Sequence, residues 1–237
     1  MNTANTLISS LNFTNSSQKV LNATSSFDLI KRDDFDKLVS KCEVSFNEKE
    51  QNKIFSIVED RYITKDEILS LSYDEIKKLK NLIVEFDEKG NPYDASLIGF
   101  DYVVSSFMST SLISTDEDFN KAIFEKLKTL DKEETMRFMC AISHESFFSW
   151  VTKNSDFEQI KENDMEKYLK DKIRNFKTLL DESPTKLASQ TYKEVLSWYE
   201  DIYKNYSSIK KERENQIAQV IKNNRLNPLE ILKLKGN

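Results

Sequence analysis

The sequence predicts an all-α protein, and three of its properties support that fold class. The chain of 237 residues contains only three glycines and three prolines, whereas average usage is about 7% and 5%. Strand-rich folds and nucleotide-binding α/β folds need many such residues for tight turns and glycine loops. Hydrophobic residues, 38% of the chain, recur at helical spacing, and charged residues of both signs are interspersed among them. We expect a multi-helix bundle of about seven or eight helices, with a long C-terminal helix and a disordered N-terminus.

Two helices are predicted in the region that follows residue 26. The first spans 27–43, because apolar residues recur along one side of it, namely Phe27, Ile30, Phe35, Leu38 and Cys42. The second begins after Asn47, which stands three residues before Glu50 and so predicts a capping box. This second helix carries the apolar residues Ile54, Phe55 and Val58.

Two further capping boxes follow, Thr64 with Glu67 and Ser72 with Glu75. The box at Ser72 starts a helix whose apolar residues share one face, and these are Ile76, Leu79, Ile83 and Phe86. Residues 89–92, Lys-Gly-Asn-Pro, form the strongest turn signal in the chain. The segment around this turn lacks the acidic spacing and the closing Glu of a calcium loop. If the helical domain 27–237 is subdivided, we expect the division near 89–92.

The segment 95–113 is poor in charge and rich in Val, Ile and Phe. We interpret it as a central buried helix, with a pair of β-strands as the alternative. Asp101 and several serines and threonines interrupt its apolar residues. The chain therefore has no apolar run of about 18 residues, and no transmembrane helix is predicted.

Four more helices are predicted in the second half of the chain. The sequence 115–118, Thr-Asp-Glu-Asp, caps the first of them. Asp131 and Glu134 open the next, which runs to about Val151. The last two helices are longer, spanning 157–182 before Pro184 and 185–225 before Pro228.

The last predicted helix carries aromatic and apolar residues at intervals of three and four. Core packing or an interface with a partner helix explains them, and the interface candidates are Trp198, Tyr199, Ile202 and Tyr206. Residues 210–216 interrupt the spacing, so a sustained heptad seam is not established. From Ile202 onward there are eight basic and three acidic residues. This excess of positive charge indicates a solvated helix end or, alternatively, a surface for an acidic partner or chaperone.

Charge and cysteine content argue against several function classes. Charged residues make up 32% of the chain with a net charge of −5, and lysines far outnumber arginines, so no nucleic-acid patch is predicted. Cys42 and Cys140 form neither a disulfide framework nor a metal-ligand spacing, and we expect both to be buried. His144 is the only histidine, which excludes a multi-histidine zinc site. We expect no metal and no cofactor.

One motif suggests catalysis, the sequence Ala-Ile-Ser-His-Glu-Ser-Phe-Phe at 141–148. Its Ile142, Glu145, Ser146 and Phe148 resemble the site of lysozyme-like lytic transglycosylases, where a helix-borne Glu followed by Ser protonates the glycosidic oxygen. That resemblance implies Glu145 as a catalytic acid. The family builds its sugar cleft with a glycine-bearing segment, and this chain has no glycine between residues 99 and 236. A peptidoglycan-cleaving enzyme is therefore the minor alternative.

Residues 1–26 differ from everything after them. Fifteen of these residues are Asn, Ser or Thr, none is acidic, and Lys19 is the only charged side chain. The segment lacks the basic n-region and the continuous apolar core of a secretory signal peptide. An unfolded, weakly apolar N-terminus of this kind is typical of proteins exported through type III channels. The residues that we expect to act as the export signal are Leu7, Ile8, Leu11 and Phe13.

The chain resembles flagellum-dependent secreted proteins of campylobacter-type bacteria. The resemblance lies in residues 1–26, which we call the leader, in the region 72–79 that leads to the turn at 90–92, and in composition. The resemblance implies secretion through the flagellar type III apparatus, with that apparatus or an export chaperone as partner. It implies no catalytic site. We expect a non-enzymatic extracellular effector or flagellum-associated factor, with a helical protein partner for the C-terminal helix. The alternative is a cytoplasmic helical adaptor, chaperone or regulator of flagellar assembly.

Overall fold

The computed structural model describes residues 29–41, 45–83, 99–100, 102–142, 160 and 162–224. Within these ranges the chain forms nine helices and two very short strands, which confirms the all-α class. The first five helices are α1 (Arg32–Lys41), α2 (Glu48–Val58), α3 (Lys65–Leu69), α4 (Tyr73–Ile83) and α5 (Tyr102–Thr110). The other four are α6 (Glu117–Leu127), α7 (Lys132–Ile142), α8 (Met165–Asp181) and α9 (Lys186–Asn224). The strands are β1 (Tyr62–Ile63) and β2 (Gly99–Phe100).

The chain forms two compact units. Unit 1 comprises Met1–Thr115 and Leu127–Lys161, and unit 2 comprises Asp116–Lys126 and Glu162–Asn237. Unit 2 therefore takes α6 from the middle of the chain and α8 and α9 from its later part. The turn at 89–92, where the sequence suggests a subdivision, lies outside the described residues.

Helices α2 and α3 begin where the sequence predicts a capping box. At α2 the Glu50 amide donates to Asn47 Oδ1 at 2.9 Å, and the Asn47 amide donates to Glu50 Oε2 at 3.0 Å. Thr64 and Glu67 form the same reciprocal pair at α3. Each box satisfies amides that have no intrahelical acceptor in the first turn. These helix starts are confirmed because the signal is local in sequence.

The capping glutamates of α2 and α4 also connect the two helices. Ser72 and Glu75 form the predicted box of α4, with distances of 2.7 and 3.2 Å. Lys53 of α2 donates to Glu75 at 2.8 Å, and Lys78 of α4 donates to Glu50 of α2. The Lys78 hydrogen bond lowers the pKa of Glu50. Burial raises the pKa of Glu75, but hydrogen bonds from Lys53 and Ser72 outweigh it and leave that pKa lowered.

The core of unit 1 uses the apolar faces that helical spacing predicts. Helices α1 to α4 bury Phe35, Ile54, Val58, Ile76 and Leu79. Helix α5 packs against α7, and the buried residues of these two helices include Val103, Val104, Phe107, Met108, Phe138 and Met139. Burial of each large apolar side chain contributes about 1.5–3 kcal/mol, so this core is the main source of stability in unit 1.

The segment 95–113 is only partly the helix that the sequence predicts. The described side chains of α5 are buried as expected, but Gly99–Phe100 is a strand that pairs in parallel with Tyr62–Ile63. The partner strand follows Arg61, whose φ of 63° turns the chain sharply after α2. The backbone N–H and C=O groups that follow this turn need hydrogen-bond partners, and Gly99–Phe100 supplies them from a distant part of the chain. Periodicity within 95–113 carries no information about that distant partner, so the helix prediction starts too early.

One other predicted helix start in this part of the chain is wrong, and another is confirmed. The prediction continues α1 back to residue 27, but the described chain becomes helical only at Arg32. Its Ile30 amide donates to the Glu59 carbonyl at 2.7 Å, which holds that stretch outside the helix. The cap of α6 is Asp116, which lies within the predicted capping sequence 115–118, because the Phe119 amide donates to Asp116 Oδ1 at 2.9 Å.

The later helices agree better with the sequence, with one exception. Asp131 and Glu134 exchange hydrogen bonds of 3.0 and 2.8 Å at the start of α7, as predicted. The predicted end of this helix near Val151 lies outside the described residues. Helix α9 starts and ends within one residue of its predicted bounds. Helix α8 begins at Met165 and not at 157, because Ile160 forms a parallel bridge with Ser114.

The described part of unit 2 is a helical hairpin with a third helix against it. Helices α8 and α9 are joined by residues 182–185, so they run antiparallel. Helix α6 is held to α9 by an ion pair between Lys126 Nζ and Asp201 Oδ2 at 2.6 Å. Phe119 of α6 packs edge-on against Tyr168 of α8, with ring centroids 6.2 Å apart. Buried residues of all three helices meet in this core, among them Ile123, Leu169, Val195, Trp198 and Ile202.

Candidate functional site

Helix α9 packs through residues that are spaced alternately four and three apart. The first six of these residues are buried, and they are Ala188, Tyr192, Val195, Tyr199, Ile202 and Tyr206. Phe176 of α8 stacks on Tyr199 with ring centroids 5.5 Å apart, and burial raises the pKa of Tyr199 well above its ordinary value. The next two positions, Ile209 and Arg213, are half-buried. The seam therefore reaches Arg213, inside the region 210–216 where the sequence suggests an interruption, whereas the next position, Gln216, is exposed.

Arg213 fits into this seam because it meets a buried carboxylate. Its Nε lies 2.9 Å from Oδ2 of Asp118, in the first turn of α6. Asp118 is only 4% exposed. Burial raises the pKa of Asp118, the charge of Arg213 opposes that rise, and the charge of Asp116 adds to it. A buried charge that loses its partner is strongly destabilising, so this pair sets the position of α6 along α9.

A second carboxylate of α6 reaches the same part of α9. Asp116 accepts the Phe119 amide at the helix start, and its Oδ2 also accepts a hydrogen bond from the Tyr206 hydroxyl at 3.4 Å. Burial is the main reason that the pKa of Tyr206 is raised, and the negative charge of Asp116 adds to it. The hydroxyl therefore stays protonated and acts as a donor at neutral pH.

The start of α8 supplies a third carboxylate. Glu166 accepts from Lys170 at 2.6 Å and from Lys210 of α9 at 3.3 Å. The Tyr203 hydroxyl lies 3.5 Å from the same carboxylate. Hydrogen bonds from Lys170 and then Lys210 lower the pKa of Glu166, so it is ionised at neutral pH. Acidic side chains in the first turn of a helix are also favoured by the helix dipole.

We call this arrangement the collar, and define it by Asp116, Asp118, Glu166, Tyr206, Lys210 and Arg213. It joins the starts of α6 and α8 to the middle of α9. The sequence suggests that the basic residues after Ile202 are either solvated or bind an acidic partner. Two of them, Lys210 and Arg213, instead pair with carboxylates of this same chain. Sequence reading missed the pairing because Asp118 and Glu166 are far away along the chain.

Beyond the collar, α9 continues through residues 214–224, which we call the overhang. Its length is about 16 Å, or three turns, and it starts at the level where α6 and α8 begin. Ile217, Val220 and Ile221 lie on one face of it, because residues three and four apart share a side. Val220 is 38% exposed, and the two isoleucines are half-buried. The other face is exposed and polar, with Asn215, Gln219 and Lys222.

The four residues that the sequence proposes as a partner interface lie in the core of unit 2. Trp198, Tyr199, Ile202 and Tyr206 are all 5% exposed or less. Core packing therefore explains them, and they offer little surface to another protein. The apolar face of the overhang is the part of α9 that the sequence did not single out as an interface, although Ile217 and Val220 are among the apolar positions of the predicted helix. Its signal was present in the spacing of three aliphatic residues, but the charged residues at 210–213 concealed its continuity with the rest of the seam.

Several other predicted site residues lie outside the described ranges. These are the leader residues Leu7, Ile8, Leu11 and Phe13, together with Cys42, His144 and Glu145. Cys140 is described, and it is a free thiol that is half-buried instead of fully buried. Partial burial raises the pKa of this thiol, so it is a poor nucleophile at neutral pH. Among the described residues, no group of three or more His, Cys, Asp or Glu side chains is placed to hold a metal ion.

Comparisons with known proteins return no match: no family model, curated protein or solved structure is similar to this chain. Within the described ranges, no helix combines the length and the apolar character that crossing a membrane requires.

Proposed function

We propose that this chain is a non-enzymatic protein that is secreted through the flagellar type III apparatus and acts by binding another protein through α9. The observation that carries the binding role is the apolar face of α9, which continues past the collar where α6 and α8 begin. The composition of residues 1–26 supports the export role. Under this proposal the mature protein acts outside the cell or on the flagellum.

The chemistry of the collar is consistent with a binding protein. Its three carboxylates are engaged by Lys210, Arg213 and Tyr206 of the same chain. A general acid or base needs a proton that it exchanges with a substrate, and these groups instead hold helices together. The collar therefore serves to fix α9 as a rigid element.

The export role is tested with a fusion of residues 1–26 to a reporter protein. We expect the reporter in the culture supernatant of a flagellated strain and not in that of a strain without a working flagellar export apparatus. A Leu7→Asp, Ile8→Asp leader should lose export, whereas Ser9→Asn, Ser10→Asn should keep it as a matched control. A reporter that stays inside both strains contradicts the export role.

The second candidate is a cytoplasmic adaptor, chaperone or regulator of flagellar assembly. The same long helix supports it, because helical adaptors also bind partners through amphipathic helices. Retention of the full chain in the cytosol, together with recovery of flagellar subunits in complex with it, would favour this candidate over secretion.

A peptidoglycan-cleaving activity at Glu145 is the third candidate. It is tested by a zymogram that compares the wild type with Glu145→Gln. Clearing by the wild type that is lost in the variant would establish an enzyme. If the wild type produces no clearing, this candidate is removed.

A further inference from the structure

The overhang continues the surface through which α9 already binds helices of its own chain. Up to Tyr206 the seam residues are buried against α6 and α8, and Ile209 and Arg213 carry the seam through the collar. Ile217 and Val220 then extend the same side of the helix by two more turns. Within the described part of unit 2, α6 and α8 do not extend along residues 214–224. The apolar side of α9 therefore extends beyond the described helices α6 and α8 of unit 2.

The chemistry of the overhang indicates what kind of surface fits it. Its apolar face carries three aliphatic side chains, the exposed Val220 and the half-buried Ile217 and Ile221. Its only charged residues are Glu214 and Lys222, which cancel, and most of the others are Asn or Gln. A partner therefore needs an apolar surface with polar, uncharged edges. The overhang carries no net charge, and two of the basic residues that the sequence offers to an acidic partner, Lys210 and Arg213, are paired within the chain.

The length of the overhang argues for a groove and against a second copy of this chain. Two such helices side by side, over about 16 Å, bury only several hundred Å². Stable specific interfaces bury about 1,200–2,000 Å² in total. A groove that surrounds a single helix on several sides covers more of each aliphatic side chain. A concave partner therefore buries more of the apolar area of these three side chains than a second helix does.

The collar also explains why so short a helix is ready to bind. Isolated helices shorter than about 12–15 residues are marginal in water, because nucleating the first turn is costly. The overhang avoids that cost since it extends a helix already formed by Lys186–Asn224. Ordering a ligand before it binds reduces the entropy lost on association.

We infer that residues 214–224 insert as a single preformed helix into an apolar groove of another protein, with Ile217, Val220 and Ile221 as anchors. This inference rests on the binding role proposed above and adds the location and the chemistry of the contact.

The first test is photo-crosslinking of the full-length protein in the cells that produce it. The photoreactive residue p-benzoylphenylalanine is placed at Val220, on the apolar face, or at Gln219, on the polar face. A third version carries it at Leu187, which is 58% exposed near the opposite end of α9. We expect one discrete adduct with another protein from Val220 and none from Gln219.

Each other result overturns the inference in a recognisable way. An adduct between two copies shows a homodimer, and a crosslink within one chain shows that the overhang is covered internally. An adduct from Leu187 alone leaves the binding role standing and moves it to another surface. Equal adducts from Val220 and Gln219 indicate non-specific contact. Absence of adducts from all three positions contradicts both the binding role and this inference.

The second test measures the affinity of the identified partner for purified full-length variants. Val220→Asp and Ile217→Asp should each weaken binding by about tenfold or more, because a charge then enters the apolar groove. Gln219→Asp should stay within about twofold of the wild type, since rim charges contribute little. Val220→Asp should disturb folding less than Ile217→Asp, because Val220 is more exposed than Ile217. If all three variants bind like the wild type, the overhang is not the contact.

Discussion

The two ends of α9 each carry an apolar side, but these sides have different surroundings. Between Lys186 and Tyr206 the apolar side of the helix is buried against α6 and α8. In the overhang the same side continues, yet Val220 is 38% exposed. The difference comes from where α6 and α8 begin, and the collar determines that position. One helix is therefore a core element over part of its length and is more exposed over the rest.

The largest expected difference between the two ends comes from the same substitution made in each. Ile202→Ala removes a fully buried side chain and should lower the free energy of unfolding by about 2–5 kcal/mol. Ile217→Ala in the overhang should cost less than about 1 kcal/mol, because little cavity is left behind. Urea denaturation of both variants gives the two values. Equal losses would show that the overhang is packed as tightly as the first half.

The collar gives the next largest effect. Arg213→Met leaves the Asp118 carboxylate buried without its cation and should destabilise the protein by about 1–3 kcal/mol, allowing for the partial exposure of Arg213. Adding Asp118→Leu should recover most of that loss, because two apolar side chains replace the pair. A double-mutant cycle by urea denaturation measures the coupling. Additive losses would mean that the two groups do not interact.

The ion pairs Lys53–Glu75 and Lys78–Glu50 join α2 to α4, and we call them the clamp. The pH dependence of stability separates the collar from this clamp. The pKa of Asp118 is raised on folding, so the native state favours the protonated carboxyl. The contribution of Asp118 to the free energy of unfolding therefore falls as pH rises above about 4. Asp118→Asn removes that dependence. The stability of the variant relative to the wild type should therefore increase between about pH 4 and pH 7.

The contribution of the clamp to stability should change with pH in the opposite direction. The pKa of Glu50 is lowered on folding, so its contribution is present at neutral pH and is lost as pH falls below about 4.3. Glu50→Gln should therefore cost more stability at pH 7 than at pH 3. Urea denaturation across this range measures both variants, and parallel curves for the two would contradict the assignment.

The smallest expected effect tests local stability with a pair of exposed glutamines. Gln190→Gly, in the packed half of α9, should lower the free energy of unfolding by roughly 0.5–1 kcal/mol. Gln219→Gly, in the overhang, should change it by less, because that end can fray without unfolding the rest of the unit. Faster amide exchange confined to the region around Gln219 would support this difference. Exchange that accelerates throughout α9 would contradict it.

Features that depend on neighbours in sequence were predicted correctly. The capping boxes at Asn47, Thr64, Ser72 and Asp131 each pair two residues three apart, so the chain needs no distant contact to form them. Features that depend on distant partners were missed or misplaced. The late start of α8 follows from the bridge between Ile160 and a residue far earlier in the chain.

The candidate site divides in the same way. Its aliphatic residues and its basic residues are visible in the sequence, but their roles are not. Arg213 looks like an interruption of the seam until Asp118 is seen 2.9 Å away, and Lys210 looks free until Glu166 is seen beside it.

By itself the sequence determined the all-α class, four capped helix starts and the extent of the long last helix, because propensity, periodicity and capping act over a few residues. Only the tertiary structure decided which part of that helix is core and which part is surface. That division depends on where α6 and α8 meet α9, and their position is set by charges that are distant in sequence and adjacent in space.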